Sequence, residues 1–294
     1  MRLNFNTYTT FFNIQFMNSS INPYNVRAIP HEGGHMSLLT HPDNELHYLA
    51  AIGRRVFSMG YDGPPSADHD VSIARLNDQF EIIESNPLQL PLLQKGAVVG
   101  FSQACFVQPR LLVGYLHGYA GADTTQYCLC HFNDRYEITK IVQLDAFGID
   151  RPVVLKYVNY NLYAAHSYDP LKIISLNTDL GSNQIVHMQK IFNSEGCRIV
   201  GGAAVYLERY KAYLMNLRVE DGGKYVYSMW ATLTDRYKLS GASEPFVFRK
   251  EAGSYEACTS MVVRGDTLYA VVSINLDLHV FEYSVDQICR NIMW

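Results

Sequence analysis

The chain has 294 residues, of which 48% are hydrophobic and 18% charged, and its formal net charge is −4. That balance implies a large buried core and excludes an intrinsically disordered chain. Because no Lys/Arg run occurs, nothing supports binding to nucleic acid or to an anionic membrane, and the absence of any run of 18 apolar residues means that no transmembrane helix is expected.

The first 40 residues precede the first clear repeat. Their opening, "MRLNFNTYTTFFNIQFMN", is apolar but broken by Asn, Thr and Gln, which does not fit a signal peptide. One of the strands of residues 1–40, such as "FFNIQFM" at 11–17, is expected to close a ring by pairing with the last repeat, removing a free sheet edge.

From there the chain writes one phrase repeatedly. "VSIARLNDQFEI" (71–82), "YCLCHFNDRYEI" (127–138) and "SMWATLTDRYKL" (228–239) each run from an alternating strand through a polar-plus-Asp step into a new apolar start. Such a step makes a tight turn between strands. Looser copies stand at 173–180 ("IISLNTDL") and 279–288 ("HVFEYSVDQI"). A second series interleaves with the first: "LHYLAA" (46–51), "RLLVGYL" (110–116), "NLYAAHS" (161–167), "KAYLMNL" (211–217) and "TLYAVVS" (267–273). Successive units are roughly 45–65 residues apart, near the length of a propeller blade. The expectation is an all-β, single-domain (1–294) five-bladed β-propeller with four antiparallel strands per blade, the NDxYEI-like turns being outer hairpins. Tyr48, Leu112, Tyr163, Tyr213 and Tyr269 would hold equivalent, buried inner-strand positions. Only the tail "SVDQICRNIM" suggests a short helix.

In a propeller the loops leading into the inner strands line a central funnel, where function usually lies. Taken in order, Arg54 and Arg55 end an apolar strand, as a guanidinium fork for phosphate or sugar hydroxyls or as a surface pair. Asp68 and Asp70 have a D-x-D spacing that can hold a divalent cation or simply form a solvated turn. Asp150 and Arg151 precede an inner strand, with His166 and Asp169 after the next. The carboxylate is an acid/base candidate, or half of a structural ion pair. Gly201 and Gly202 permit close backbone approach to a ligand or mark a bulge. Tyr255 and Glu256 open the last unit, and Asn275 and Asp277 follow its second strand. The six cysteines (105, 128, 130, 197, 258, 289) show no CxxC spacing and read as buried reduced thiols, hence a cytoplasmic location. No zinc spacing, Walker loop, dinucleotide fingerprint or nucleophile elbow occurs, so no cofactor beyond that divalent cation is implied.

Three stretches resemble one group of proteins. "DRPVVLKYVNYNLYAAHSYDPLKIISL" (150–176) resembles the E-K-N-W…L-Y…Y-S…P blade of five-bladed carbohydrate-active propellers. "VGGAAVYLERYKAYLMNLR" is similar to their R-G-G…Y-L…H blade, and "YEACTSMVVRGDTLYAVVSINLD" to their last. The group comprises the mannoside phosphorylases of glycoside hydrolase family 130, related mannosyltransferase-phosphorylases and glycosyltransferase-like proteins. By position, Asp150-Arg151 stand at its Glu-Lys, Gly201-Gly202 at its double glycine, and Tyr255-Glu256 at the opening of its last blade. Pro152 and Val153 replace its Asn-Trp, Ser102-Gln103 its Glu-Asp, and Asn216 its His; its final Asn-Asp appears as Asn275-x-Asp277.

The resemblance, with these departures, implies a carbohydrate or nucleotide-sugar ligand and a changed donor or acceptor. The first expectation is a glycosyltransferase in which the arginines and backbone amides hold a diphosphate and Asp150 deprotonates an acceptor hydroxyl. The alternatives are a glycoside hydrolase or phosphorylase, with Asp150 or Glu256 protonating the leaving oxygen, and a non-catalytic propeller that binds glycans or proteins.

Overall fold

The computed structural model describes residues 21–29, 35–41, 44–53, 71–87, 98–108, 111–120, 124–143, 152–158, 161–166, 171–177, 183–189, 197–221, 225–236, 238–248, 256–275 and 277–293. The chain is predominantly β, as its period-2 alternation predicts. Strand β1 (Asn25–Ile29) comes first. Four antiparallel sheets follow, each built from consecutive strands. The first holds β2 (His35–His41), β3 (Asn44–Gly53), β4 (Val71–Leu76) and β5 (Ile82–Pro87). The second holds β6 (Val98–Gln108), β7 (Leu111–Ala120), β8 (Thr124–Phe132) and β9 (Ile138–Gln143). The third holds β10 (Pro152–Val158), β11 (Asn161–His166), β12 (Leu171–Asn177) and β13 (Asn183–Gln189). The fourth holds β14 (Cys197–Leu207), β15 (Ala212–Asp221), β16 (Tyr225–Thr234) and β17 (Leu239–Ala242). The fifth combines both ends of the chain: β18 (Glu256–Arg264), β19 (Thr267–Ile274) and β20 (Asp277–Ser284) are completed by β1, which pairs with β20. Helix α1 (Val285–Ile292) ends the described chain, where the tail suggested one.

The strand that joins the two ends of the chain is 25–29, within the first 40 residues; the segment 11–17 lies outside the described residues. The reason is electrostatic. Glu282 of β20 is buried, and β1 supplies its partners: Arg27 Nε at 2.7 Å and Asn25 Nδ2 at 2.9 Å. "FFNIQFM" has no cation to offer that carboxylate, and a buried carboxylate without partners is costly.

The first strands of the sheets pack side by side in chain order. β2 lies on β6, β6 on β10, β10 on β14 and β14 on β18; β18 then lies on β2, so the five make a cycle. Each of these first strands carries a register shift against its neighbour: Thr40/His41, Phe101/Gln103, Pro152/Val154, Ile199/Gly201 and Cys258/Ser260. A bulge bends a strand and re-aims the residues beside it. In β18 the residue just past the shift, Ser260, is buried and links the last sheet to the first: its Oγ accepts from Leu38 N (2.9 Å) and donates to Leu38 O (3.0 Å).

The repeated phrase is the turn between the third and fourth strands, and its first polar residue organises it. Asn77 Oδ1 accepts from the backbone N–H of Gln79 (2.9 Å) and Glu81 (2.8 Å). Asn133 does the same with Arg135 and Glu137, both at 2.9 Å, and Thr234 Oγ1 with Arg236 (3.3 Å) and Lys238 (3.2 Å). The aromatic residue of the phrase takes a left-handed conformation, φ 64° at Phe80 and 59° at Tyr136. At Phe80 this drives the ring into the seam between the first and last sheets, where it is 2% exposed among Ile29, Leu38, Leu76, Val271 and Val280. The Asp of the first copy is not needed for the turn; Asp78 Oδ1 instead meets Arg264 across that seam, at 3.4 Å. In the last copy Ser284 caps α1 by accepting from Gln287 N (3.2 Å), so the chain turns into a helix where the other units turn into a strand.

Register corrects the list of equivalent core positions. Tyr48, Leu112 and Tyr213 pair with Leu76, Phe132 and Leu233, each immediately before its turn. In the third and fifth sheets that place belongs to Leu162 and Leu268, paired with Leu176 and Tyr283. Tyr163 and Tyr269 lie one residue further on, and a one-residue step moves a side chain to the other sheet face. These positions are also on the second strands of their sheets, not the first.

Candidate functional site

Each sheet has a leading end, where its first strand starts and its second finishes. Cross-strand pairs define it: His35 with Gly53, Val98 with Tyr119, Pro152 with His166, Cys197 with Asp221, and Glu256 with Ile274. The connections into the first strands, and those from second to third strands, leave from these ends. Nearly all the sequence candidates fall in or beside them. Arg54 and Arg55 follow Gly53, and Asp68 and Asp70 precede Val71. Asp150 and Arg151 precede Pro152, Asp169 lies between β11 and β12, and Tyr255 precedes Glu256. These eight residues lie outside the described residues.

Within the described residues, His166 finishes β11 opposite Pro152, and Glu256 opens β18. Ile274 pairs with both Glu256 and Asp277, so Glu256, Asn275 and Asp277 share the leading end of the fifth sheet. Asn275 and Asp277 are exposed there. Asn275 has φ 51°, a conformation that Asn tolerates better than most residues, which gives it a turn-forming role.

The double glycine sits inside a strand, past the bulge between Ile199 and Gly201. Gly202 has φ +149°, and a Cβ there would lie 2.3 Å from the carbonyl oxygen of Asn216 on β15. Of the two sequence readings, the bulge accounts for this glycine through the close approach of the neighbouring backbone. Behind it stand groups that sequence reasoning did not single out as site residues. Asn216 is fully buried, and neither atom of its side-chain amide has a hydrogen-bond partner among the described residues. Its register partner Trp230 is equally buried, with Nε1 also lacking one. Arg218, two residues along the same face and paired with Gly201, is half-buried with a buried Nε. The alternation in "LMNLR" carried the signal, since it sets Leu214, Asn216 and Arg218 on one face.

Among the described residues no group of His, Cys, Asp or Glu is placed to hold a metal ion. Cys258 and Cys289 are buried free thiols. Burial pushes both pKa values up to about 12, which keeps them protonated and unreactive. Among the described residues, no helix is long and apolar enough to cross a membrane.

No protein-family model and no curated protein sequence matches the chain. Solved structures do. The chain is similar to a β-1,2-mannobiose phosphorylase from Listeria innocua, with a TM-score of 0.58 at 12% identity over 95% of this chain and 99% of that one. It is similar to an N-acetylgalactosamine deacetylase from F. plautii, solved with blood group B trisaccharide, with a TM-score of 0.58 at 11% identity over 96% and 93% of the two chains. An exo-β-1,3-galactanase from Phanerochaete chrysosporium, solved with galactose, gives a TM-score of 0.56 at 11% identity over 92% of this chain and 64% of that one. At these identities the likeness is one of fold.

Proposed function

We propose that the chain is a five-bladed β-propeller that acts on glycosides, by hydrolysis or phosphorolysis, at a mouth formed where the leading ends of its first strands meet. The observation that carries this reading is the cycle of first strands from β2 to β18 and back to β2. With the five sheets in one orientation around it, Asp150 before β10 and Glu256 at the start of β18 would face a shared opening. Cleavage of a glycosidic bond uses two carboxyl groups flanking it. Glu256 would give its proton to the leaving oxygen as the C–O bond breaks. Asp150, kept ionised by Arg151, would take the proton of the water that forms the new C–O bond; phosphate would replace that water in phosphorolysis. Arg54, Arg55, His166, Asp169, Tyr255, Asn275 and Asp277 would surround the sugar. Gly201 and Gly202 would shape the wall rather than touch it.

Two of the three similar structures are named for breaking glycosidic bonds, and this supports cleavage over the transfer from a nucleotide sugar that the arginines first suggested. A thermal-shift screen separates these readings. Manno- and galacto-oligosaccharides, with and without inorganic phosphate, should raise Tm, because a ligand bound only by the folded state stabilises it by mass action, about 2.7 kcal/mol at 100 times Kd. Stabilisation by nucleotide sugars alone would restore the transferase reading.

A further inference from the structure

The face of the fourth sheet that packs on the fifth carries two polar side chains in an apolar seam. Asn216 and Trp230 are register partners on β15 and β16, so their side chains stand on one face, with Cβ atoms about 4.5–5.5 Å apart. Both are fully buried, and Asn216 Nδ2, Asn216 Oδ1 and Trp230 Nε1 have no hydrogen-bond partner among the described residues. Their neighbours on that face offer carbon. Ala203, across from Asn216 on β14, and Leu214, two residues back on β15, belong with Trp230 to the core cluster that includes Val272 and Phe281 of the last sheet. The Trp230 ring stacks on Phe246 at 6.1 Å and meets Tyr283 edge to face at 5.3 Å. Folded proteins almost always pair buried polar atoms, with other protein groups or with an ordered water.

We propose that an internal water molecule sits in this seam between the fourth and fifth sheets, accepting from Trp230 Nε1 and donating to Asn216 Oδ1. The chemistry of the pair selects it. An unmet donor beside an unmet acceptor fits a group that does both. An anion would meet only the N–H groups, and a metal ion only the amide oxygen; among the described residues no group of His, Cys, Asp or Glu is placed to hold such an ion. Arg218, next along the same face, has an interaction of its own and does not turn the place into an anion site. Reach agrees with a single bridge. Two atoms bonded to one water lie within roughly 6 Å of each other, twice a hydrogen bond of about 2.9 Å, and facing residues on paired strands stand that close. Complete burial favours the smallest polar molecule, and two or more polar partners are what an internal water needs. The bridge would fix the Trp230 ring, which residues of both sheets pack against, in one orientation. It is independent of the glycoside reading.

Nuclear magnetic resonance tests this in the full chain. The sequence has two tryptophans, Trp230 and Trp294, so two indole N–H resonances are expected, and Trp294→Phe assigns them. The Trp230 indole proton should show a cross-peak to water in both NOESY and ROESY spectra, with opposite signs in the two, the mark of dipolar contact with a long-lived water. Asn216→Leu should abolish that cross-peak and shift the Trp230 resonance while leaving that of Trp294 in place. Tyr283→Phe should leave the cross-peak intact, which separates a bound water from a signal relayed through the nearby phenol. The wild-type spectrum decides the matter even where a variant fails to fold. Absence of the cross-peak in wild type, or the same sign in both spectra, as chemical exchange gives, would overturn the proposal. So would a cross-peak that survives Asn216→Leu or disappears in folded Tyr283→Phe.

Discussion

One asparagine or threonine side chain holds each of the three full copies of the repeated turn, by accepting two backbone N–H bonds that would otherwise go unmade. Removing it leaves both amides to water. Asn77→Ala and Asn133→Ala should therefore each cost about 1–2 kcal/mol in denaturant melts, in the range of lost helix caps. Phe80 does a different job in the same turn. It accepts a left-handed backbone so that its ring can enter the seam, 5.6 Å from the Tyr269 ring and 5.7 Å below the Arg27 guanidinium. Phe80→Ala should cost roughly 3–5 kcal/mol, as for other buried aromatics, and a loss under about 1 kcal/mol would show that the seam does not depend on it. The turn was legible in the sequence because the phrase recurs. The division of labour within it was not: the polar-plus-Asp step read as one unit, yet in the first two copies it is the Asn that receives the amides.

At the scale of elements, α1 shows how a short helix is fastened to a β framework. Val285, Ile288, Cys289 and Ile292 are buried against the last two sheets, while Asp286 takes hydrogen bonds from Tyr210 Oη and from Arg209 Nη1, the latter at 2.9 Å. The Tyr210 bond, then the nearby arginines, hold the Asp286 carboxyl below its usual range. Burial and that same bond push Tyr210 up to about 12. The signs are opposite at the two ends of the pH scale. The depressed carboxylate contributes stability that is lost as pH falls through its folded value. The raised phenol contributes stability that is present below its unfolded pKa of about 10 and is lost as pH rises towards 12. Tyr210→Phe should flatten both flanks of a Tm-against-pH curve; an unchanged curve would mean the contact is incidental. The other end of the helix sits on Gly241, where an added Cβ would come within 1.6 Å of Ile292 O. Gly241→Ala must push the helix away and should cost roughly 1–3 kcal/mol, the usual penalty of overpacking. The helix was readable from "SVDQICRNIM", but its docking partner Gly241 was not, since contact between distant segments leaves no local pattern.

Over the whole molecule, the interleaved repeats made five antiparallel sheets legible before any coordinates, because period-2 alternation and turn chemistry are local. What the repeats did not carry was register and closure. Tyr163 and Tyr269 matched their counterparts in spelling yet stand one step off, and the closing strand was chosen by a buried Glu282 that needed Arg27, a pairing 255 positions apart. The candidate site followed the same division. Its candidates were read as residues flanking the first and second strands, and His166, Glu256 and Asp277 stand at such paired ends. That Asn216, Arg218 and Trp230 stand together behind Gly202 became visible only once β14, β15 and β16 were set side by side. The central claim is that Asp150 and Glu256 act together on one glycosidic bond. The most direct test is turnover of oligosaccharides that stabilise the protein, compared among wild type, Asp150→Asn and Glu256→Gln. Both variants should lose on the order of 100-fold or more in kcat while still showing the ligand-induced rise in Tm. Near wild-type turnover in either variant would contradict the shared site.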